Sequence, residues 1–148
     1  MTDDIRFDVD LAQFRRQLNA LDDQAGAALM DGVMAGALTL EGVVKRDLNS
    51  GGRTGRTYKR GSKTHTASAP GEPPATDMGA LANSFVTRKG GKGKDWAEAE
   101  TGPTVEYGAA LEYGTSRMAP RPYMRPGLDN NGPAIVKAIE DELRRRMG

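Results

Sequence analysis

The sequence contains no cysteine, a single histidine, few aromatic residues (5%) and no real excess of either charge. Each shortage excludes something. Without cysteine there can be no disulfide, no thiolate nucleophile and no thiolate metal site. The histidine, His65, stands in a polar stretch with no carboxylate beside it. A histidine-based metal site is therefore not expected, nor a serine activated by imidazole. No serine lies in a Gly-x-Ser-x-Gly elbow. Gly51, Gly52 and Gly55 lack the lysine–hydroxyl pair that a phosphate loop requires. The acidic pairs Asp3-Asp4 and Asp22-Asp23 read as solvated surface. The expectation is a protein that is not an enzyme, with no cofactor, metal or small-molecule substrate.

Lysine and arginine number 21 against 20 aspartates and glutamates, a net charge of +1. No global field therefore draws the chain to nucleic acid or membrane. No run reads as the roughly 20 apolar residues of a membrane span. The start, Met1-Thr2-Asp3-Asp4, is acidic and unlike a signal peptide. Folding in a reducing cytoplasm is the matching expectation.

What is present suits one lean domain over residues 1–148, with 37% hydrophobic residues. Ile5, Phe7 and Val9 alternate with polar residues and predict a short strand. Asp10, with Gln13 behind it, can cap a helix. Leu11, Phe14, Leu18 and Leu21, then Leu29, Val33, Leu40, Val44 and Leu48, carry an apolar stripe. They predict a long helix, or two in line, from Leu11 to Leu48. Gly26, Gly32, Gly36 and Gly42 within it point to a bend or to close packing.

Residues 49–75 have too little apolar surface to offset the entropy of ordering, and predict a long flexible loop. Lys45, Arg46, Arg53, Arg56, Lys59, Arg60 and Lys63 lie in or just before it, against Asp47 alone. Two readings stand for this run. One is contact with nucleic-acid phosphate, with Tyr58 as a stacking ring. The other is a solvated excursion that orders against neighbouring protein.

Thr76 or Asp77 can cap a short helix through Asn83. Ser84–Arg88 and Asp95–Thr101 predict a hairpin around a glycine–lysine turn, with Phe85 and Val86 on opposite faces. A two-turn helix ending at Tyr113 precedes Gly114, placed for a left-handed C-cap. Pro120, Pro122 and Pro126 stiffen the stretch beyond it. Ile135, Ile139 and Leu143 then mark a C-terminal helix, which Gly132-Pro133 either starts or kinks from a beginning near Met124. Glu140–Arg144, Asp141–Arg145 and Glu142–Arg146 are acid-before-base pairs along it. Together these elements predict an α+β fold, a small antiparallel sheet packed against a long N-terminal helix and a C-terminal helix.

Two stretches carry a family resemblance: SAPGEPPATDMGALANSFV, Ser68 to Val86, and VEYGAALEYGTSRMAPRPYMRPGL, Val105 to Leu128. They resemble the tail-completion, or neck, proteins of long-tailed bacteriophages and prophages, a family that includes head–tail joining components. In its pattern a Pro-Gly-rich passage leads to a short Thr-Gly-x-Leu helix. Later comes Glu-x-Gly-Thr, then Ala-Arg-Pro-aromatic-x-Arg-Pro and a last helix. Glu112, Tyr113, Gly114 and Thr115, then Arg121, Pro122, Tyr123, Arg125 and Pro126, match the second motif. Pro120 and Asp77-Met78-Gly79 depart from the pattern.

The resemblance implies a structural virion protein made in the host cytoplasm. It would complete the tail, or join it to the head, as part of a homo-oligomeric ring expected to be six-fold, next to other tail or head-connector proteins. Tyr113, Gly114, Arg117, Arg121, Tyr123 and Arg125 are the candidate subunit or partner contacts, since a stiff arginine- and tyrosine-bearing strap suits a protein interface. The same strap can instead serve only to hold the last helix. Arg53, Arg56, Lys59, Arg60 and Lys63 are the candidate contacts of the basic loop, to a partner or to DNA in a channel. The alternative function is a small nucleic-acid-binding protein using residues 45–63.

Overall fold

A computed structural model describes residues 24–50, 53, 55–72, 74 and 79–147. The expected strand at Ile5–Val9, the Asp10 cap, the first half of the long helix and the Thr76 or Asp77 cap lie outside these residues. Helix α1 runs Gln24–Asn49, strand β1 Thr57–Arg60, strand β2 Lys63–Thr66 and the short helix α2 Ala80–Asn83. Strands β3, Phe85–Lys92, and β4, Ala97–Pro103, precede helices α3, Tyr107–Tyr113, and α4, Met124–Met147. The fold is α+β, as its hydrophobic patterning predicts.

The core is the seam between α1 and α4, closed at one side by β3 and β4. Leu29, Leu40, Val44 and Leu48 of α1 meet Met124, Ile135, Ile139 and Leu143 of α4. The helices run antiparallel. Gly32 lies against Leu143, Gly36 against Ile135 and Ile139, and Gly127 against Val44. Small residues at these crossings let the two axes approach. This is the close packing that the helix glycines suggested, except at Gly42, which has nothing near it. Arg146 reaches Asp31 at 2.7 Å and ties the end of α4 to α1.

The stretch Gly26–Asn49 is long and apolar enough, by length and composition, to cross a membrane, with a mean hydropathy of 1.5. The expectation that no run approaches a span is corrected on that point. Alanine among the larger apolar residues raises the hydropathy without forming an obvious block. In this fold the helix supplies one wall of the core.

β3 and β4 pair antiparallel from Phe85↔Pro103 to Lys89↔Ala99, then shift register before Lys92↔Ala97. The strand thus continues through Gly90 and Gly91, where the sequence suggests a turn. One extra residue is absorbed there as a bulge. Phe85 is buried and Val86 exposed, as the alternation requires. Thr87 bonds across to Thr101 at 2.7 Å and down to Glu41 of α1 at 2.5 Å, which pins the sheet to the helix.

The loop predicted over 49–75 is corrected by a second hairpin. β1 and β2 pair from Thr57↔Thr66 to Arg60↔Lys63, and Gly61, at φ +61°, helps close the turn. This ribbon forms a two-stranded sheet of its own. It lacks an apolar face. Backbone bonds and the Thr57–Thr66 hydroxyl pair, 3.0 Å apart, hold it instead.

α2 starts from Gly79 in the left-handed region, with no side-chain cap. α4 begins at Met124 and kinks at Asn131, two residues before Pro133, so the kinked alternative is the one observed. The Asn131 side-chain amide donates to the Gly127 carbonyl at 2.9 Å and so satisfies an acceptor at the kink. On the outer face Glu140–Arg144 pairs at 4.0 Å. Asp141 bonds Lys137 rather than Arg145, and Glu142 takes both Arg145 and Arg146.

Candidate functional site

The segment from Tyr107 to Arg125 folds back on itself, and one carboxylate organises it. Glu112 is buried in the last turn of α3. Its Oε2 accepts the backbone N–H groups of Tyr123 at 2.8 Å and Met124 at 2.9 Å. Its Oε1 accepts the N–H of Arg125 at 2.9 Å. These amides open α4 and have no acceptor within the helix. Glu112 is therefore a helix cap supplied by another helix, and its charge faces the positive end of the α4 dipole.

Two further bonds close the unit. The Tyr123 hydroxyl donates to the Gly108 carbonyl at 2.7 Å, and the Arg121 N–H donates to the Leu111 carbonyl at 2.6 Å. The Tyr123 ring stands edge-on to Phe85, with centroids 6.4 Å apart and planes at 71°. Burial, and then the Glu112 charge, push its phenol well above the ordinary tyrosine range. Tyr123 is thus a core residue, held neutral and inside the molecule.

Gly114 ends α3 with φ 76° and ψ 177°. The φ is positive, as a glycine stop predicts, but the ψ is extended rather than left-handed helical. The neighbouring residues explain this. Thr115 and Met118 pair as a narrow turn, with Ser116 and Arg117 at its tip. That turn brings Pro120 back against Gly114, where a Cβ would lie 2.8 Å from the proline ring.

The strap is shorter than its prolines suggest, because Arg125 and Pro126 already belong to the first turn of α4. Proline is tolerated there because the first-turn amides lack intrahelical partners. The candidate contact residues therefore separate. Tyr113 is 56% exposed, and Arg117 and Arg125 are exposed, the latter 3.2 Å from Asp129. Arg121 is half-buried. Among the described residues its Nη1 reaches only Met118 Sδ, at 3.9 Å, and its buried Nε has no hydrogen-bond partner.

The basic residues sit on or beside the β1–β2 ribbon. Arg53 donates to the carbonyls of Asp47 at 2.9 Å and Pro74 at 3.4 Å, and so braces the entry to it. Arg56, Lys59 and Lys63 are exposed, and Arg60 lies opposite Lys63 in the register. At the base of the ribbon the Gly55 N–H donates to the Ala67 carbonyl, and Ser68 beyond it is buried. The Gly71 N–H donates to the Pro120 carbonyl at 3.0 Å. The ribbon is thus rooted on the strap, which brings together the two groups singled out in the sequence.

No family model matches the chain, and neither does any curated protein or solved structure. Among the described residues no three of His, Cys, Asp or Glu gather as a metal-binding group.

Glu112 lies in the quoted motif, yet no role for it follows from the sequence. A capping box is legible because its partners are three residues apart. Glu112 caps amides eleven to thirteen residues ahead, through a turn whose path is not local.

Proposed function

We propose that this chain is a structural component of the head–tail junction of a long-tailed bacteriophage, completing the tail or joining it to the head as one subunit of an oligomeric ring. Arg121 carries the reading. A half-buried guanidinium that finds, among the described residues, no partner for Nε and only a sulfur acceptor for Nη1 is an incomplete site. A buried donor left unmade is costly, and a partner's carbonyl or carboxylate would complete it. Exposed Tyr113, Arg117 and Arg125 lie close to it in sequence, and arginine and tyrosine are favoured at interface centres.

The strap's internal bonds suit this role. An interface element held rigid before binding loses little further entropy on association. A ring requires one face of each subunit to fit a different face of the next.

The test is mass measurement in solution, followed by imaging with phage tails. Rings, or docking on one tail end, are expected. A protein that stays monomeric and ignores tails overturns the reading.

A further inference from the structure

The stretch from Leu48 to Gly71 contains Arg53, Arg56, Lys59, Arg60 and Lys63 and no aspartate or glutamate. Because the whole chain has 21 basic and 20 acidic residues, everything outside this stretch is net acidic. The near-neutral total conceals a local positive field.

The fold concentrates that field. Pairing of β1 with β2 sets Arg60 opposite Lys63 at the closed end and Lys59 opposite Thr64. Arg56, Lys59 and Lys63 are exposed, and no ion pair joins any of them to a described residue. Exposed Ser62 and Thr64 add hydroxyl donors. The base is fixed by the Gly55–Ala67 bond, the buried Ser68 and the Gly71–Pro120 bond. The charges thus stand on a supported ribbon.

We propose that this ribbon binds the phosphate backbone of duplex DNA without reading its sequence. Phosphate contact asks for cations and hydroxyl donors, and these are what the ribbon exposes. Docking on an acidic protein would call in addition for large side chains packed into a water-excluded centre. Apart from Tyr58, the two strands consist of threonine, lysine, arginine and histidine. A two-stranded ribbon also has the width that the B-form major groove admits. DNA binding by the ribbon requires neither the ring nor the strap contacts.

The experiment is fluorescence anisotropy of the full chain with a labelled duplex of arbitrary sequence, over a salt series. Three exposed ribbon cations, Arg56, Lys59 and Lys63, predict that log K falls against log salt with a slope of about −2 to −3. Replacing all three with alanine should weaken low-salt binding at least about tenfold, with an unchanged circular dichroism spectrum. Replacing Lys89, Lys92 and Lys94 of the other hairpin should leave it unchanged. A second duplex of different sequence should bind equally. Four results would overturn the proposal: no binding at low salt, a flat salt dependence, equal loss in the other-hairpin variant, or tighter binding to labelled polyglutamate of matched charge.

Discussion

The Glu112 carboxylate accepts the Tyr123 amide at 2.8 Å, and through that contact α3 fixes where α4 begins. Two more amides share the carboxylate, so its removal strands three donors in a buried place. Glu112→Ala should cost about 2–4 kcal/mol, above an ordinary cap because charged bonds at a buried helix end are lost together. Glu112→Gln keeps only one oxygen acceptor and should cost about half as much. Urea unfolding monitored by circular dichroism measures both. A loss under about 0.5 kcal/mol for alanine would mean that the cap does not hold the helix.

Two glycines of one helix should respond oppositely to the same change. A Cβ on Gly36 would lie 2.6 Å from Ile139 Cγ1. Gly36→Ala must push α1 and α4 apart and should cost about 1–3 kcal/mol despite alanine's better helix propensity. Gly42 has nothing within 4 Å. Gly42→Ala should stabilise by about 0.5–1 kcal/mol. Thermal denaturation of the pair decides it, and equal signs would refute the packing described for the seam.

Acid should weaken the tie between β3 and α1. The Thr87 hydroxyl, and then Lys45, hold the Glu41 carboxyl below its ordinary value of 4.5. A carboxyl lowered in the folded state contributes stability that is full above the unfolded value. That contribution disappears as pH falls through the lowered one. Unfolding free energy should therefore decline on acidification below about 4.5. Thr87→Val should flatten part of that decline, and superimposable pH profiles for the two proteins would show that the bond contributes nothing.

The two long helices were legible because their core faces repeat at helical spacing, as Leu40, Val44 and Leu48 on α1 and Ile135, Ile139 and Leu143 on α4 show. Phe85 and Val86 divided correctly between the faces of β3 for the same kind of reason. The ribbon was not legible. Its strands, TYKR and KTHT, have no apolar face, and strand reading relies on one. Gly114 was half legible. Its positive φ follows from residue type, whereas its ψ follows from Pro120 folding back upon it, which local spacing does not encode. The candidate contacts divided for want of burial information, since a tyrosine in a proline-rich stretch suits a surface or a core equally.

That turn at Gly114 carries its own prediction. With φ 76° and ψ 177° it occupies a region that residues with a side chain scarcely enter. Gly114→Ala should cost about 1–3 kcal/mol from backbone strain, and contact with the Met118 carbonyl and Pro120 should displace the turn. Calorimetry gives the cost. The chemical shifts of Thr115 and Met118 amides report the displacement, and an unshifted pair would place the strain elsewhere.

Arg121 and Arg125 separate the strap's two roles. Neither guanidinium helps to cap α4. Arg125 takes part through its backbone amide, which alanine retains, and the Arg121 amide likewise keeps its bond to Leu111. Arg121→Ala with Arg125→Ala should therefore change monomer stability by no more than about 1 kcal/mol. It should also remove the cations offered to a neighbour, so assembly or tail docking should fall at least about tenfold. Glu112→Gln should give the reverse pattern, a weaker monomer whose surface cations are unchanged. If the double arginine variant unfolds and Glu112→Gln does not, the arginines hold the last helix and the interface lies elsewhere. Measuring both variants by unfolding and by sedimentation keeps those outcomes apart, because only a contact role moves assembly without moving stability.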